Sequence, residues 1–273
     1  MTEIRTHEGR GRTALVTGAS SGIGRAFAGV LAEAGYNLIL TARRGERLEE
    51  IARTLAAAHG VTVDVIVADL SALDAPSRLM EAIRERGRAV DVLVNNAGYG
   101  LPDRYERSEW PAHRDFLQVM VASVCELTHL VLPGMIERGW GRIINVASLA
   151  AFVPAPAGHT LYAASKAFLV KFSEALAAEN RQRGVHATAV CPGFTYSEFH
   201  DVTGTRDTVS QMPSFMWLDA PTVAREGYAA VMQGRPVSVT GRVNRTIAWL
   251  VRVLPQGLVR RVATRLGGRY RKV

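Results

Sequence analysis

Three glycines in one short turn constrain this chain most. Thr17-Gly18-Ala-Ser20-Ser21-Gly22-Ile23-Gly24 follows the apolar run Thr13-Ala-Leu-Val16 and opens a helical spacing through Ala26, Phe27, Val30, Leu31 and Ala34. A strand, a glycine turn and a helix are therefore predicted in succession. Glycines at 18, 22 and 24 let backbone come close to a ligand. The helix start adds N–H groups without intrahelical partners and the positive end of the helix dipole. Together these suit a pyrophosphate, with Ser20, Ser21 and Ile23 as further candidate contacts. The spacing is G-x-x-x-G-x-G, not the more familiar G-x-G-x-x-G, and a plain glycine-rich turn would read the same locally.

A second strand, Asn37-Leu-Ile-Leu-Thr41, runs into Ala42-Arg43-Arg44. Sites that take NAD usually carry an acid at this strand end, bonded to the adenosine ribose. Here Arg43 and Arg44 stand instead. Guanidinium groups suit a 2′-phosphate, so NADP(H) is the expected cofactor.

Three more apolar runs end in polar residues. Val61 to Val67 leads to Asp69 and Leu70, with Asp69 placed to accept from an adenine amino group. Val90 to Val94 leads to Asn95-Asn96-Ala97-Gly98, and Ile143 to Val146 leads to Ala147-Ser148. In an open parallel sheet the carboxyl edge of the strands forms the ligand crevice.

Downstream lies Tyr162-Ala-Ala-Ser-Lys166. Four residues are just over one helical turn, so Tyr162 and Lys166 are expected on one helix face. A tyrosine ordinarily titrates near pH ~10, and a nearby ammonium favours its ionised form. Ser148 would hold a substrate oxygen beside that hydroxyl. The trio suits proton exchange with an alcohol or alkoxide.

With these motifs in order, the chain resembles the short-chain dehydrogenase/reductases from about residue 12 to 241. The matching residues are Thr17-Gly18-x-x-x-Gly22-x-Gly24, Asp69, Asn95-Asn96-Ala97-Gly98, Ser148, Tyr162-x-x-x-Lys166 and Pro192-Gly193 followed by Thr195. The resemblance implies a Rossmann-type doubly wound α/β sheet and hydride exchange with a nicotinamide. It implies Tyr162 as general acid/base, Lys166 on the nicotinamide ribose and Ser148 polarising the carbonyl. It also extends the cofactor contacts to Asn96, Ala97, Gly98, Pro192, Gly193 and Thr195.

One position departs from the family. The asparagine that helps bind a proton-relay water falls on Met120, and no Asn occurs between Gly98 and Asn145. A methionine side chain cannot replace an amide, though its backbone carbonyl and Ser123 stand near. Ser148 to Tyr162 is 14 residues, one more than the family spacing; the Pro154/Pro156 loop is expected to absorb it.

At 273 residues, with no linker, repeat or low-complexity tract, one domain is expected over 1–241. Cys125 and Cys191 sit in apolar runs and are read as buried thiols, which fits a reducing cytoplasm. No signal-peptide pattern and no long uninterrupted apolar stretch is present, so no spanning helix is predicted. No His, Cys, Asp or Glu cluster has metal-ligand spacing. His159 is read as a loop histidine near Tyr162.

Charge is concentrated at the carboxyl end. Residues 242–273 hold nine basic side chains and no acid, leaving 24 basic and 25 acidic in the other 241 residues. Apolar positions Ile247, Leu250, Val251 and Leu254, then Leu258, Val259, Val262 and Leu266, predict two basic amphipathic helices around Pro255-Gln256-Gly257. Such helices pack on the fold, pack on a second subunit, or lie peripherally on an anionic membrane. Nucleic acid is not an expected partner, because the rest of the surface cannot extend the basic patch.

Phe194 to Ala220 is the expected substrate-selecting segment, with Phe199, Met212, Phe215, Met216 and Trp217, and with Phe152 and Val153 nearby. Arg206 is its sole cation, so an apolar carbonyl or alcohol is expected. The expectation is an NADP(H)-dependent ketone or 3-oxoacyl reductase, homo-oligomeric by family resemblance. An alcohol dehydrogenase running oxidatively, and an NADP-binding scaffold without catalysis, are the alternatives.

Overall fold

A computed structural model describes residues 8–101, 104–155, 160–196, 213–255 and 257–261. The expectations placed on Pro156, His159, Phe199, Arg206, Met212 and residues 262–273 lie outside the described residues.

Seven strands form one parallel sheet in the order β3-β2-β1-β4-β5-β6-β9. They are β1 (Thr13–Thr17), β2 (Asn37–Ala42), β3 (Val63–Val67), β4 (Val92–Asn95), β5 (Gly141–Val146), β6 (Val185–Cys191) and β9 (Val237–Val239). A short parallel pair, β7 (Phe194–Tyr196) and β8 (Trp217–Asp219), stands apart from it. The helices are α1 (Gly22–Glu33), α2 (Gly45–His59), α3 (Ala75–Glu85), α4 (Trp110–Leu117), α5 (Ser123–Glu137), α6 (Thr160–Asn180), α7 (Ala220–Met232) and α8 (Arg242–Val253).

Alternation along the strands sorts the side chains into two layers. Ala14, Val16, Leu38, Leu40, Val92, Val94, Ile144 and Val146 meet α1, α2 and α7 on one face. Leu15, Ile39, Leu93 and Ile143 meet α3, α5 and α6 on the other. Strands buried on both faces read as continuous apolar runs, which is why the sequence shows them clearly. The doubly wound α/β expectation is met.

The chain winds outward from β1 to β3, then returns to β4 on the other side of β1. This switch point opens a crevice at the carboxyl edge. Register places Val16 beside both Leu40 and Val94, so the ends of β1, β2 and β4 are level. Thr17 joins two of them. Its hydroxyl donates to the Val94 carbonyl (3.2 Å) and accepts the backbone N–H of Asn96 (2.9 Å) and Ala97 (3.0 Å).

Helices α4 and α5 run on through a π-helical turn, Gln118–Ala122. This helical stretch, Trp110–Glu137, is long and apolar enough by composition to cross a membrane, where the sequence predicted no such segment. Its apolar residues have another explanation. Phe116, Met120, Leu127, Val131 and Met135 are buried in the layer over the sheet.

Past residue 241 the chain stays against the domain. Asn244, in the first turn of α8, is buried, and Arg245 pairs with Glu226 on α7 at 3.0 Å. Past Pro255 the chain forms another helical turn over 257–261.

Thr17→Val leaves two backbone N–H groups without their acceptor inside the fold. The expected loss is about 2 kcal/mol of unfolding free energy, the low end of ~1–3 kcal/mol for each of two unsatisfied donors, because Asn96 and Ala97 are half-buried. Thr17→Ser keeps the hydroxyl and should lose much less. Urea denaturation of the three proteins checks this; equal midpoints for Val and wild type would refute it.

Candidate active site

The glycine turn is shaped as the sequence predicts. Gly18 and Gly22 have φ of 63° and 53°, a region that side chains disfavour. A Cβ on Gly24 would sit 2.4 Å from the Gly18 carbonyl oxygen, and one on Gly18 would sit 2.9 Å from Ala97 Cα. Ser21 precedes α1 without capping it through its side chain, and the first turn of α1 holds no acid. The helix thus presents its N–H groups and positive dipole end to the crevice.

Arg44 lies against this turn. Its guanidinium donates to Ser20 Oγ (3.0 Å from Nη2, 3.2 Å from Nε) and to Ser21 Oγ (2.9 Å). A hydroxyl that accepts from Arg44 keeps its own proton to donate. Guanidinium and serine hydroxyls therefore converge on one spot suited to a phosphate. Arg43 is exposed beside it. Asp69 Oδ1 accepts from the backbone N–H and hydroxyl of Ser71 (3.0 and 2.9 Å), which orients the carboxylate at the end of β3. The glycine cradle, uncapped helix start and Arg44–serine cluster fit a phosphorylated dinucleotide.

Several other expected contacts take bracing positions. Asn96 Nδ2 donates to the carbonyls of Thr17 (2.9 Å) and Gly18 (3.2 Å), so this amide holds the glycine turn in place. Leu70 is buried and its carbonyl accepts from Ser123 Oγ (2.9 Å). The Pro192 carbonyl accepts from Leu149 N–H (2.8 Å), and Thr195 Oγ donates to the Gly193 carbonyl (3.2 Å). A Cβ on Gly193 would meet Asn244 Oδ1 at 2.4 Å, so α8 packs against the loop after β6. Ile23 is half-buried beside the core under α1.

Ser148, Tyr162 and Lys166 come together at the end of β5. Ser148 precedes a 3-10 turn, Leu149–Ala151, and its Oγ accepts from Ala150 N–H at 3.1 Å. Tyr162 and Lys166 share one face of α6, and the Lys166 ammonium lies 5.7 Å from the Tyr162 ring centre. Lys166 is buried and donates from Nζ to the Val146 carbonyl at 2.8 Å.

One expectation needs correction here. The tyrosine was expected to be pulled down by the lysine. In this arrangement burial pushes the Tyr162 hydroxyl above its ordinary range, and the hydrogen bond with Ser148 pulls it back only in part. The larger effect falls on the lysine. Burial lowers Lys166 to about 8, partly offset by nearby Cys191. Burial in turn raises Cys191 to about 12.

Met120, at the departing position, lies in the π-helical turn and is buried. Its sulfur would be 2.8 Å from a Cβ on Gly98, so it covers the backbone after β4. Turns of this kind shift the carbonyl register and recur at functional sites. Ser123 turns away from this position. It is buried, donates to Leu70 and accepts from Gln118 Nε2 at 3.3 Å.

His113 carried no signal in the sequence. It is buried on α4, stacked on Tyr105 at 4.4 Å, with Nε2 2.9 Å from the Tyr105 carbonyl. That contact makes Nε2 the donor, and Nδ1 has no hydrogen-bond partner among the described residues. His113, Leu101, Phe116 and Tyr162 line a cavity of about 20 Å³, roughly the space of one water. The two thiols are free; Cys191 is buried and Cys125 half-buried. No metal-ligand cluster occurs among the described residues.

Residues 12–207 match the short chain dehydrogenase family. The protein belongs to that family. A very-long-chain 3-oxoacyl-CoA reductase of Anas platyrhynchos is 34% identical over 92% of this chain and 78% of its own length. A short-chain dehydrogenase from Sphingobium yanoikuyae, solved with NADPH, superposes with a TM-score of 0.77. It is 26% identical and covers 90% of this chain and 97% of its own. The bulky-bulky ketone specific alcohol dehydrogenase of Comamonas testosteroni is also 26% identical, with a TM-score of 0.73 over 90% of this chain and 95% of its own.

The depressed lysine has a measurable consequence. Folded Lys166 loses its proton near pH 8, whereas an unfolded lysine keeps it to about 10.4. The unfolded chain binds more protons in that window, so this group's contribution to stability rises as pH increases through it. The chain has three lysines, at 166, 171 and 272, so their side-chain signals are resolvable by NMR. One signal should show a midpoint near 8 and vanish in Lys166→Met; titration of every lysine near its ordinary value would refute this.

Proposed function

We propose that this protein is an NADPH-dependent reductase of a bulky, apolar ketone or 3-oxoacyl substrate. The observation that carries the reading is the convergence of Ser148, Tyr162 and Lys166 on a crevice whose opposite lip holds the glycine turn and Arg44. When bound, NADPH supplies the hydride for the carbonyl carbon. Ser148 and Tyr162 hold the carbonyl oxygen between two hydroxyls, and Tyr162 hands its proton to that oxygen as charge develops there. Lys166 stands one turn from Tyr162, where its ammonium is placed for the nicotinamide ribose and helps restore the proton.

The reductase to which the chain is similar supports the reductive direction. The aromatic group flanking the crevice supports an apolar substrate. Tyr196 stacks on Trp217 at 4.7 Å, and Phe194 lies 5.5 Å from the same ring. Phe152 instead packs toward the core, beside Leu169 and Val170. The names of the reductase and of the ketone-specific enzyme to which the chain is similar support the same substrate class. Leu130 and Phe168 stand out on α5 and α6, which supports association with a second copy through those helices.

Purified protein with NADPH and a panel of aryl ketones and 3-oxoacyl thioesters should consume NADPH absorbance. Tyr162→Phe should abolish turnover while NADPH binding stays within a few-fold of wild type. Binding without turnover by wild type on every carbonyl would favour the scaffold alternative; oxidation of alcohols alone would favour the reverse direction.

Cofactor choice is tested at Arg44. Losing a charge-assisted phosphate contact costs about 1.5–3 kcal/mol, so Arg44→Ala should weaken NADPH about 10–100-fold and leave NADH nearly unchanged. Calorimetric titration of both cofactors checks this. Tighter NADH than NADPH binding by wild type would overturn the assignment.

A further inference from the structure

Helix α8 has two apolar sides, and the fold covers one. Asn244 is buried and Ile247, Ala248 and Val251 are half-buried, so this side rests on the domain near β9 and Gly193. The opposite side carries Trp249 (61% exposed), Val253 (53%) and Leu250 (38%). Leu254 and Leu258 continue it past the helix end, also exposed. Phe215, 67% exposed, belongs to the turn Ser214–Met216 that α8 touches. Six large apolar side chains thus stand in water on one part of the surface, far beyond a scattered residue.

Their setting selects the occupant. Residues 242–261 carry Arg242, Arg252, Arg260 and Arg261, besides Arg245 that pairs with Glu226, and no acid, and four more basic residues follow in the sequence. A second copy meeting this face through a two-fold axis would set arginines against arginines. Nucleic acid matches the charge but offers nothing to Val253, Leu250 and Leu254. An anionic lipid surface meets both requirements. Its acyl region takes Trp249 and the aliphatic residues, and its headgroups take the guanidinium groups at the rim.

We propose that α8 and the adjoining Phe215 turn dock this protein peripherally on anionic membranes. Docking leaves the fold unchanged, because the inner side of α8 keeps its packing on the domain. The same face adjoins β7 and β8, which flank the crevice, so an apolar substrate dissolved in the bilayer would lie beside its site.

Vesicle sedimentation tests this with full-length protein. Vesicles of phosphatidylglycerol should pellet the protein at low salt, and pelleting should fade as salt rises. Vesicles of phosphatidylcholine should pellet it weakly. Arg242→Gln with Arg252→Gln should weaken partitioning about 30-fold, from about 1 kcal/mol per basic residue near the surface. Trp249→Asp with Val253→Asp should abolish it while thermal unfolding and NADPH binding stay as in wild type. Three results would overturn the proposal. One is no pelleting by phosphatidylglycerol at low salt. The second is wild-type pelleting by both double variants. The third is a drop in oligomer size, by size-exclusion chromatography, in Trp249→Asp/Val253→Asp, which would assign the face to a second copy.

Discussion

The Thr17 hydroxyl joins the two halves of the crevice. It donates to the Val94 carbonyl and accepts from Asn96 and Ala97, so the ends of β1 and β4 are held across the switch point. Asn96 answers by binding the carbonyls of Thr17 and Gly18. This reciprocal clamp sets the height of the glycine turn above the sheet. The start of α1 follows from that height, and so do Ser20 and Ser21 where Arg44 reaches them. A close approach of backbone to backbone makes the clamp possible, and it leaves no room for a Cβ on Gly18 or Gly24.

A second set of buried polar groups holds the catalytic helix. Asn95 Nδ2 donates to Asn145 Oδ1 at 2.9 Å, and Asn145 Nδ2 donates to Ser173 Oγ at 2.9 Å. The Ser173 hydroxyl donates a hydrogen bond to the Leu169 carbonyl inside α6. The chain of bonds links β4, β5 and α6 through the apolar layer. Lys166 adds a bond from α6 to Val146 at the end of β5. In a low dielectric such bonds strengthen one another and resist sliding of the helix along the sheet. Tyr162 therefore keeps its place beside Ser148, which sits just past the end of β5. The same burial raises the phenol and lowers the amine, so position and proton affinity have one cause.

Helix α8 combines the two fates open to a basic amphipathic tail. Its first turn belongs to the domain through Asn244 and the Arg245–Glu226 pair. Its outer side remains apolar and exposed. The heptad-like spacing in the sequence grouped Ile247, Leu250, Val251 and Leu254 as one stripe. Packing divides that stripe, because a helix lying on a surface can bury only the residues within about half its circumference.

The sequence alone was enough for the architecture. Apolar runs buried on both faces, glycines that only a tight turn needs, and polar residues at successive strand ends are local signals, and each survives folding. Ser148, Tyr162 and Lys166 were legible because one helical turn and one strand end put them in reach of one another. Roles that depend on which neighbour a group meets were not legible. Asn96 serves as a brace, Ser123 turns to Leu70, and His113 enters the wall beside Tyr162, all through partners distant in sequence. Burial likewise belongs to the assembled fold, which is why a lysine expected to lower the tyrosine is itself lowered to about 8. Spacing along a chain determines which side chains share a face; only tertiary packing determines which of them lose water, and the loss of water sets their hydrogen bonds and their charge.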